Sequence, residues 1–130
     1  MTKPIFTGVC TALVTPFLEN RLNTPMLRQL IRRQELAGVD ALLICGTTGE
    51  SAALTDTEKL ELFKTSREAI PEGVPFIAGT GSNNTAHAVA LSQAAQELGA
   101  DALLVVSPYY NKATEEGLYR HYRRIAEAVS

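Results

Sequence analysis

Three short segments concentrate the chemistry this chain could perform. Gly46-Thr47-Thr48-Gly49-Glu50-Ser51 sets two hydroxyls between two glycines. The glycines let the backbone turn tightly, and backbone N–H groups beside hydroxyls suit a carboxylate or another small anion without any basic side chain. The same spacing also describes a turn whose threonines only cap neighbouring backbone groups. Gly79-Thr80-Gly81-Ser82-Asn83-Asn84 reads G-x-G-x-x-N, so it lacks the third glycine of a dinucleotide fingerprint. The strand after it ends in Ser107-Pro108, where that fingerprint needs an acid for a ribose. A glycine-rich turn leading into a helix is the simpler reading. Ser107-Pro108-Tyr109-Tyr110-Asn111-Lys112 carries adjacent tyrosines, whose phenols relay protons when held in a hydrogen-bonded chain. Adjacent tyrosines equally serve packing at a surface or interface. Both cannot enter one pocket from regular structure, so one is expected to pack locally while the other reaches outward.

Metal and nucleophile chemistry have little to draw on. His87 and His121 are far apart, and neither shares a local cluster with Cys10 or Cys45. The two cysteines sit in apolar, strand-like runs and read as reduced, buried thiols of a cytoplasmic protein. The lysines are Lys3, Lys59, Lys64 and Lys112. Lys59 and Lys64 are expected on the outer side of a helix. Only Lys112 stands near the functional loops, in a segment expected to be exposed, where an amine stays protonated and is no nucleophile.

The elements that must position these segments alternate cleanly. Phe6–Val14 reads as a strand, followed by Thr15-Pro16-Phe17. Thr24 looks like an N-cap with Pro25 at the first helical position, and Gly38 closes that helix. Asp40–Cys45 is a second strand. Thr55 with Glu58 three residues on forms a capping box, and Leu60, Phe63 and Ile70 are expected to face inward. Pro75–Ala78 is a third strand, and an Ala-rich helix runs from about Asn84 to Leu98. Ala102–Val106 is the fourth strand. The last helix, Thr114–Val129, places Leu118, Tyr122, Ile125 and Val129 on its apolar stripe. Strands that are apolar along their whole length imply a parallel sheet covered on both faces. A doubly wound open sheet and part of a (β/α)8 barrel both fit. Either way, function gathers at the carboxyl ends of the strands, where all of these segments lie.

Size and charge narrow the classes. The 130 residues allow one domain, 1–130. Hydrophobic residues make up 45% and charged residues 20%, enough apolar content to exclude disorder. A net charge of −2 leaves no basic excess for a phosphate backbone, so no nucleic-acid partner is expected. The apolar runs are too short to span a membrane, and the start does not look like a signal peptide. A complete (β/α)8 barrel takes about 250 residues. Four of eight units would make a half-barrel, with its first and fourth strands left as open edges.

The loop sequences, taken with Gly8-Val9-x-Thr11-Ala12-Leu13-Val14-Thr15-Pro16-Phe17 and Ile77-Ala78-Gly79-Thr80-Gly81, resemble the dihydrodipicolinate synthase family. These are pyruvate-dependent class I aldolases that include N-acetylneuraminate lyase. The resemblance covers the whole chain, with motifs at four successive strand ends, and the Thr-Thr pair favours the synthase branch. It implies an α/β fold of the (β/α)8 TIM-barrel family, here about the first four units, usually in a homotetramer. It implies a lyase of lysine and diaminopimelate biosynthesis that condenses pyruvate with aspartate semialdehyde through a lysine Schiff base, with no cofactor and no metal.

Residue by residue, the resemblance makes Thr47 and Tyr110 catalytic members of a proton relay, Tyr110 crossing into a neighbouring subunit. It makes Thr48 the holder of the pyruvate carboxylate. Tyr109 corresponds to an interface tyrosine near an allosteric lysine pocket, where Ser51, Ala52 and Asn83 also fall. Lys59 and His87 stand where lysine-inhibited members carry a histidine and a glutamate, which implies repulsion of an ammonium ligand. The family's Schiff-base lysine lies on the sixth strand and its second relay tyrosine follows the fifth. The expectation is that these 130 residues, read as a truncated piece, do not catalyse alone. Two other readings stay open: a non-catalytic half-barrel that self-associates or complements another chain, and a piece of another pyruvate aldolase, such as a 2-keto-3-deoxy-sugar acid lyase.

Overall fold

In the computed structural model, which describes residues 3–130, four parallel strands form one sheet in the order β1-β4-β5-β6. They are β1 (Cys10–Ala12), β4 (Ala41–Ile44), β5 (Phe76–Gly79) and β6 (Ala102–Leu104). Cys10 stands opposite Ala41, Leu42 opposite Phe76, and Ile77 opposite Ala102. Helices α1 (Thr24–Leu36), α2 (Asp56–Ala69), α3 (Thr85–Glu97) and α4 (Glu115–Ala126) alternate with these strands. The strand order follows the chain without reversal. A doubly wound sheet reverses at its switch point, so the sheet is wound in one direction, as in a (β/α)8 barrel. Right-handed crossovers in one direction put all helices on one side, and α1–α2, α2–α3 and α3–α4 pack as consecutive neighbours.

The core lies between this helical layer and the middle strands. Phe63 of α2 and Phe76 of β5 are fully buried, their ring centroids 5.9 Å apart at 53°. Leu27 and Ile31 of α1, Leu42 of β4 and Leu62 of α2 are also almost fully buried. The outer strands are shorter than the apolar runs around them, because each pairs on one side only. Leu104 of β6 stays exposed, as do Val9, Val14 and Val106 beside the outer strands.

Several local expectations change. The N-cap of α1 is Asn23, whose Oδ1 accepts the Met26 N–H at 3.1 Å, so Thr24 is already helical. Asn23 stands just outside the first turn, so its side-chain oxygen reaches a first-turn N–H, and Thr24 and Pro25 become the first helical residues. A small antiparallel hairpin, β2 (Phe17–Leu18) with β3 (Arg21–Leu22), precedes the helix and was not expected. Its turn residues Glu19 and Asn20 take φ of 49° and 61°, the left-handed pair that two-residue hairpins require. The capping box of α2 forms as expected: the Thr55 N–H donates to Glu58 Oε2 at 2.7 Å.

The inward face of α2 is corrected. Leu60 is 36% exposed, whereas Lys59, Leu62, Phe63, Ser66 and Ile70 are buried. Helical phase set by Phe63 and Ile70 passes through position 59, not 60. Lys59, expected on the outside, is therefore 6% exposed. On α4 the buried residues are His121 and Ile125, while Tyr122 is 37% exposed and Val129 lies beyond the helix.

Candidate functional site

Strand β4 ends at Ile44, and the chain then turns at Cys45, whose φ is 58°. A left-handed backbone at a residue other than glycine costs of order 1 kcal/mol or more and persists only where neighbours impose it. Thr47–Gly49 forms a single 3-10 turn. It is closed by the Gly49 N–H on the Gly46 carbonyl and the Glu50 N–H on the Thr47 carbonyl, each at 3.0 Å. Glu50 is again left-handed, with φ of 57°, and a second 3-10 turn covers Ser51–Ala53. What reads as one polar turn is thus two short helices joined at a strained residue. Thr47 and Thr48 are exposed, and Gly49 between them and the sheet is buried.

The glycine-rich segment after β5 has a packing origin. A Cβ on Gly79 would lie 2.0 Å from the Cys45 carbonyl oxygen, and one on Gly81 would lie 2.4 Å from the Val106 nitrogen. These glycines let the ends of β4, β5 and β6 touch through their backbones. Thr80 between them is fully buried and accepts a hydrogen bond from the Ser92 hydroxyl of α3 at 2.8 Å.

A cavity of about 430 Å³ opens at the carboxyl ends of these strands. Thr47, Ser51, Ala52, Gly79, Gly81 and Tyr109 are among the residues that line it. Thr48, Asn83 and Tyr110 do not line it. Thr48 faces solvent on the same turn. Asn83 is exposed, and its carbonyl accepts only a long 3.5 Å contact from Asn111 Nδ2. Tyr110 is completely exposed on a backbone with φ of 68°, so the two tyrosines part as their adjacency predicts. The loop that carries them is tied to α4 by a 2.9 Å bond between Ser107 Oγ and the Tyr122 hydroxyl. Glu50 and Cys45 also face the cavity and were not singled out from the sequence. Burial pushes the Cys45 thiol up to about 12, with the nearby Lys59 ammonium working in the opposite direction.

A polar cluster joins the starts of α2 and α3 beside this rim. Asp56 accepts from His87 Nε2 at 2.9 and 3.0 Å, and His87 Nδ1 meets Ser82 Oγ at 3.0 Å. Lys59 Nζ stands 3.8 Å from Asp56 Oδ1. The carboxylate therefore lies between the two groups that the sequence alone presents as cations. The signal that could have found Asp56 is the i, i+3 spacing to Lys59 on one helical face. Among the described residues, no three His, Cys, Asp or Glu side chains are grouped to hold a metal ion. No described helix is long and apolar enough to cross a membrane.

Residues 5–130 match the model of the dihydrodipicolinate synthetase family. A 4-hydroxy-tetrahydrodipicolinate synthase of Acetivibrio thermocellus is 52% identical over 129 residues, covering 99% of this chain and 44% of the relative. Its counterpart in Thermoanaerobacter pseudethanolicus is 50% identical, over 97% of this chain and 42% of the relative. Among solved structures, dihydrodipicolinate synthase from Aquifex aeolicus superposes with a TM-score of 0.93 at 44% identity, over 96% of this chain and 43% of that one. The Acinetobacter baumannii enzyme, solved with pyruvate, superposes with a TM-score of 0.92 at 43% identity, over 95% and 43%. The chain spans less than half the length of these relatives.

Proposed function

The chain belongs to the dihydrodipicolinate synthetase family, and we propose that it forms the first half of a barrel that condenses pyruvate with aspartate semialdehyde through a lysine Schiff base. In that reaction a deprotonated lysine amine adds to the pyruvate ketone and water leaves. The imine loses a methyl proton to give an enamine, whose carbon attacks the aldehyde. Desolvation favours the free amine that the first step needs. Lys59 is buried but lies beside a carboxylate, and Lys112 is exposed. Neither stands in the cavity, and the amine is assigned to the sixth strand of the complete barrel.

The observation that carries this reading is the Thr47–Gly49 turn at the carboxyl end of β4, hydroxyl-bearing and open to the cavity rim. Thr48 holds the pyruvate carboxylate, and Thr47 passes protons with Tyr110. A wholly exposed aromatic on a strained backbone supports a Tyr110 that reaches into a neighbouring subunit. Ser51, Ala52, Asn83 and Tyr109 then belong to the rim at that subunit contact. The family's homotetramer is the proposed assembly.

The test replaces the matching segment of the Acetivibrio thermocellus enzyme with this chain. The chimera should condense the two substrates and should be trapped as a covalent pyruvate adduct by borohydride. A folded chimera that forms the adduct but accepts only a sugar-derived aldehyde would move the assignment to another pyruvate aldolase. A folded chimera that forms no adduct would defeat it.

The exposed Leu104 of β6, with Val9, Val14 and Val106 beside the outer strands, favours a second reading, a non-catalytic half-barrel that pairs with another chain. Sedimentation of the isolated chain checks it: a compact monomer with a sharp melting transition would count against edge pairing.

A further inference from the structure

We infer that Thr15 is a positioning residue: its hydroxyl pins the Thr47–Gly49 turn and so sets where the Thr47 and Thr48 hydroxyls stand. The inference rests on the reading of that turn as a carboxylate cradle. Thr15 Oγ1 donates to the Gly49 carbonyl oxygen at 2.6 Å, joining residues 34 apart in sequence. The carbonyls of Gly46, Thr47, Glu50 and Ser51 accept backbone N–H groups within the two 3-10 turns. The carbonyl of Gly49 has no place in that ladder, and Gly49 is buried, so Thr15 supplies its partner. An acceptor left bare in such a position is costly.

Thr15 is itself a firm post. Two residues earlier the Leu13 N–H donates to the Leu43 carbonyl at 3.0 Å, and one residue later the Pro16 carbonyl accepts the Asn23 N–H at 2.9 Å. Pro16 also confines Thr15 to extended backbone. The contact leaves no slack: a Cβ on Gly49 would lie 3.1 Å from the Leu13 carbonyl oxygen and 3.2 Å from Thr15 Oγ1. The turn is bracketed by the left-handed residues Cys45 and Glu50. Both would relax if the turn were free, and a fixed hydroxyl on the neighbouring strand opposes that relaxation. The first strand thus sets the functional turn that follows β4.

Amide exchange in the full 130-residue chain tests this, comparing Thr15→Val, which keeps shape and loses the donor, with Thr15→Ser, which keeps the donor. In Thr15→Val the Gly49 and Glu50 amides should exchange about tenfold faster. The Ala53 and Leu54 amides of the second turn should not change, and Thr15→Ser should restore protection. Equal exchange in Thr15→Val, or failure of Thr15→Ser to rescue, overturns the proposal. Should Thr15→Val not fold, the unmodified chain decides: a slowly exchanging Thr15 hydroxyl proton coupled to the Gly49 carbonyl supports the bond, and a rapidly exchanging one overturns it. The KM for pyruvate in the chimeric barrel adds a functional readout. A KM that rises by about the same factor in Thr15→Val and recovers in Thr15→Ser supports positioning. Faster exchange with an unchanged KM for pyruvate overturns it. If Thr48→Val in the chimera leaves the KM for pyruvate unchanged, the cradle reading fails while the exchange result still judges the Thr15 bond.

Discussion

The His87 imidazole is held from both sides, with Nε2 against the two Asp56 oxygens and Nδ1 against Ser82 Oγ. A carboxylate only accepts, so Nε2 carries a proton. The pair joins α2 to α3 across 31 residues, yet the Asp56 side chain is 58% and that of His87 34% exposed. Exposure of that order limits the coupling to about 0.5–1 kcal/mol. A double-mutant cycle with Asp56→Ala and His87→Ala, read by chemical denaturation, should return a value in that range. Coupling that is absent would contradict the geometry.

Gly79→Ala should be far worse than its size suggests. The new methyl would meet the Cys45 carbonyl oxygen at 2.0 Å, backbone against backbone, with no flexible side chain to move aside. Overpacking of this kind costs about 1–3 kcal/mol. Gly38→Ala is the control, because its Cβ would meet nothing within 4 Å and its φ of 73° contributes only backbone strain. Thermal melting of the two variants should rank Gly79→Ala clearly lower.

Thiol labelling should separate the two cysteines. With its pKa pushed up to about 12 by burial, Cys45 has about one thiolate in ten thousand at pH 8. Cys10 is half-buried, and burial raises its thiol too. An aromatic disulfide reagent should modify Cys10 first and reach Cys45 only as the chain unfolds. Simultaneous labelling in the folded state would mean that the cavity exposes the Cys45 sulfur.

Acid should loosen the start of α2. The Thr55 N–H, and then the Thr55 hydroxyl, hold the Glu58 carboxyl below the usual carboxylate range. A depressed value in the folded state stabilises above the unfolded value and is lost as pH falls through the folded one. The melting temperature of the native chain should therefore fall as the pH drops through and below the ordinary carboxylate range, with a smaller fall in Glu58→Gln. Matching profiles would show that the capping box contributes nothing to the acid response.

In the chimeric barrel, Thr47→Val and Tyr110→Phe should each lower kcat by about 100-fold, the usual range for a lost proton-transfer group. Thr48→Val should instead act mainly on the KM for pyruvate. Unchanged turnover in both relay variants would remove the relay assignment.

Much of this arrangement was legible in the residues. Strand–helix alternation located every strand of the main sheet, because buried parallel strands are apolar throughout. Thr55 and Glu58 announced their cap because that signal is local. Winding direction was not legible, since an open sheet and a barrel use the same amphipathic helices. The Phe17–Leu22 hairpin was missed because it is short and largely exposed, leaving no apolar period to detect. Lys59 was misplaced because residue type was allowed to outweigh helical phase. The loop segments pointed to the cavity. The divergence of Thr48, Asn83 and Tyr110 from its lining depends on side-chain direction, which spacing does not encode.

Cys45 and Glu50 bound the threonine turn at both ends, each twisted into a conformation that an ordinary side chain resists. Such a segment has few intermediate shapes available to it. Tolerance to replacement at the exposed position 50 should therefore follow torsional preference over polarity: glycine or asparagine would be accepted, and valine or isoleucine refused.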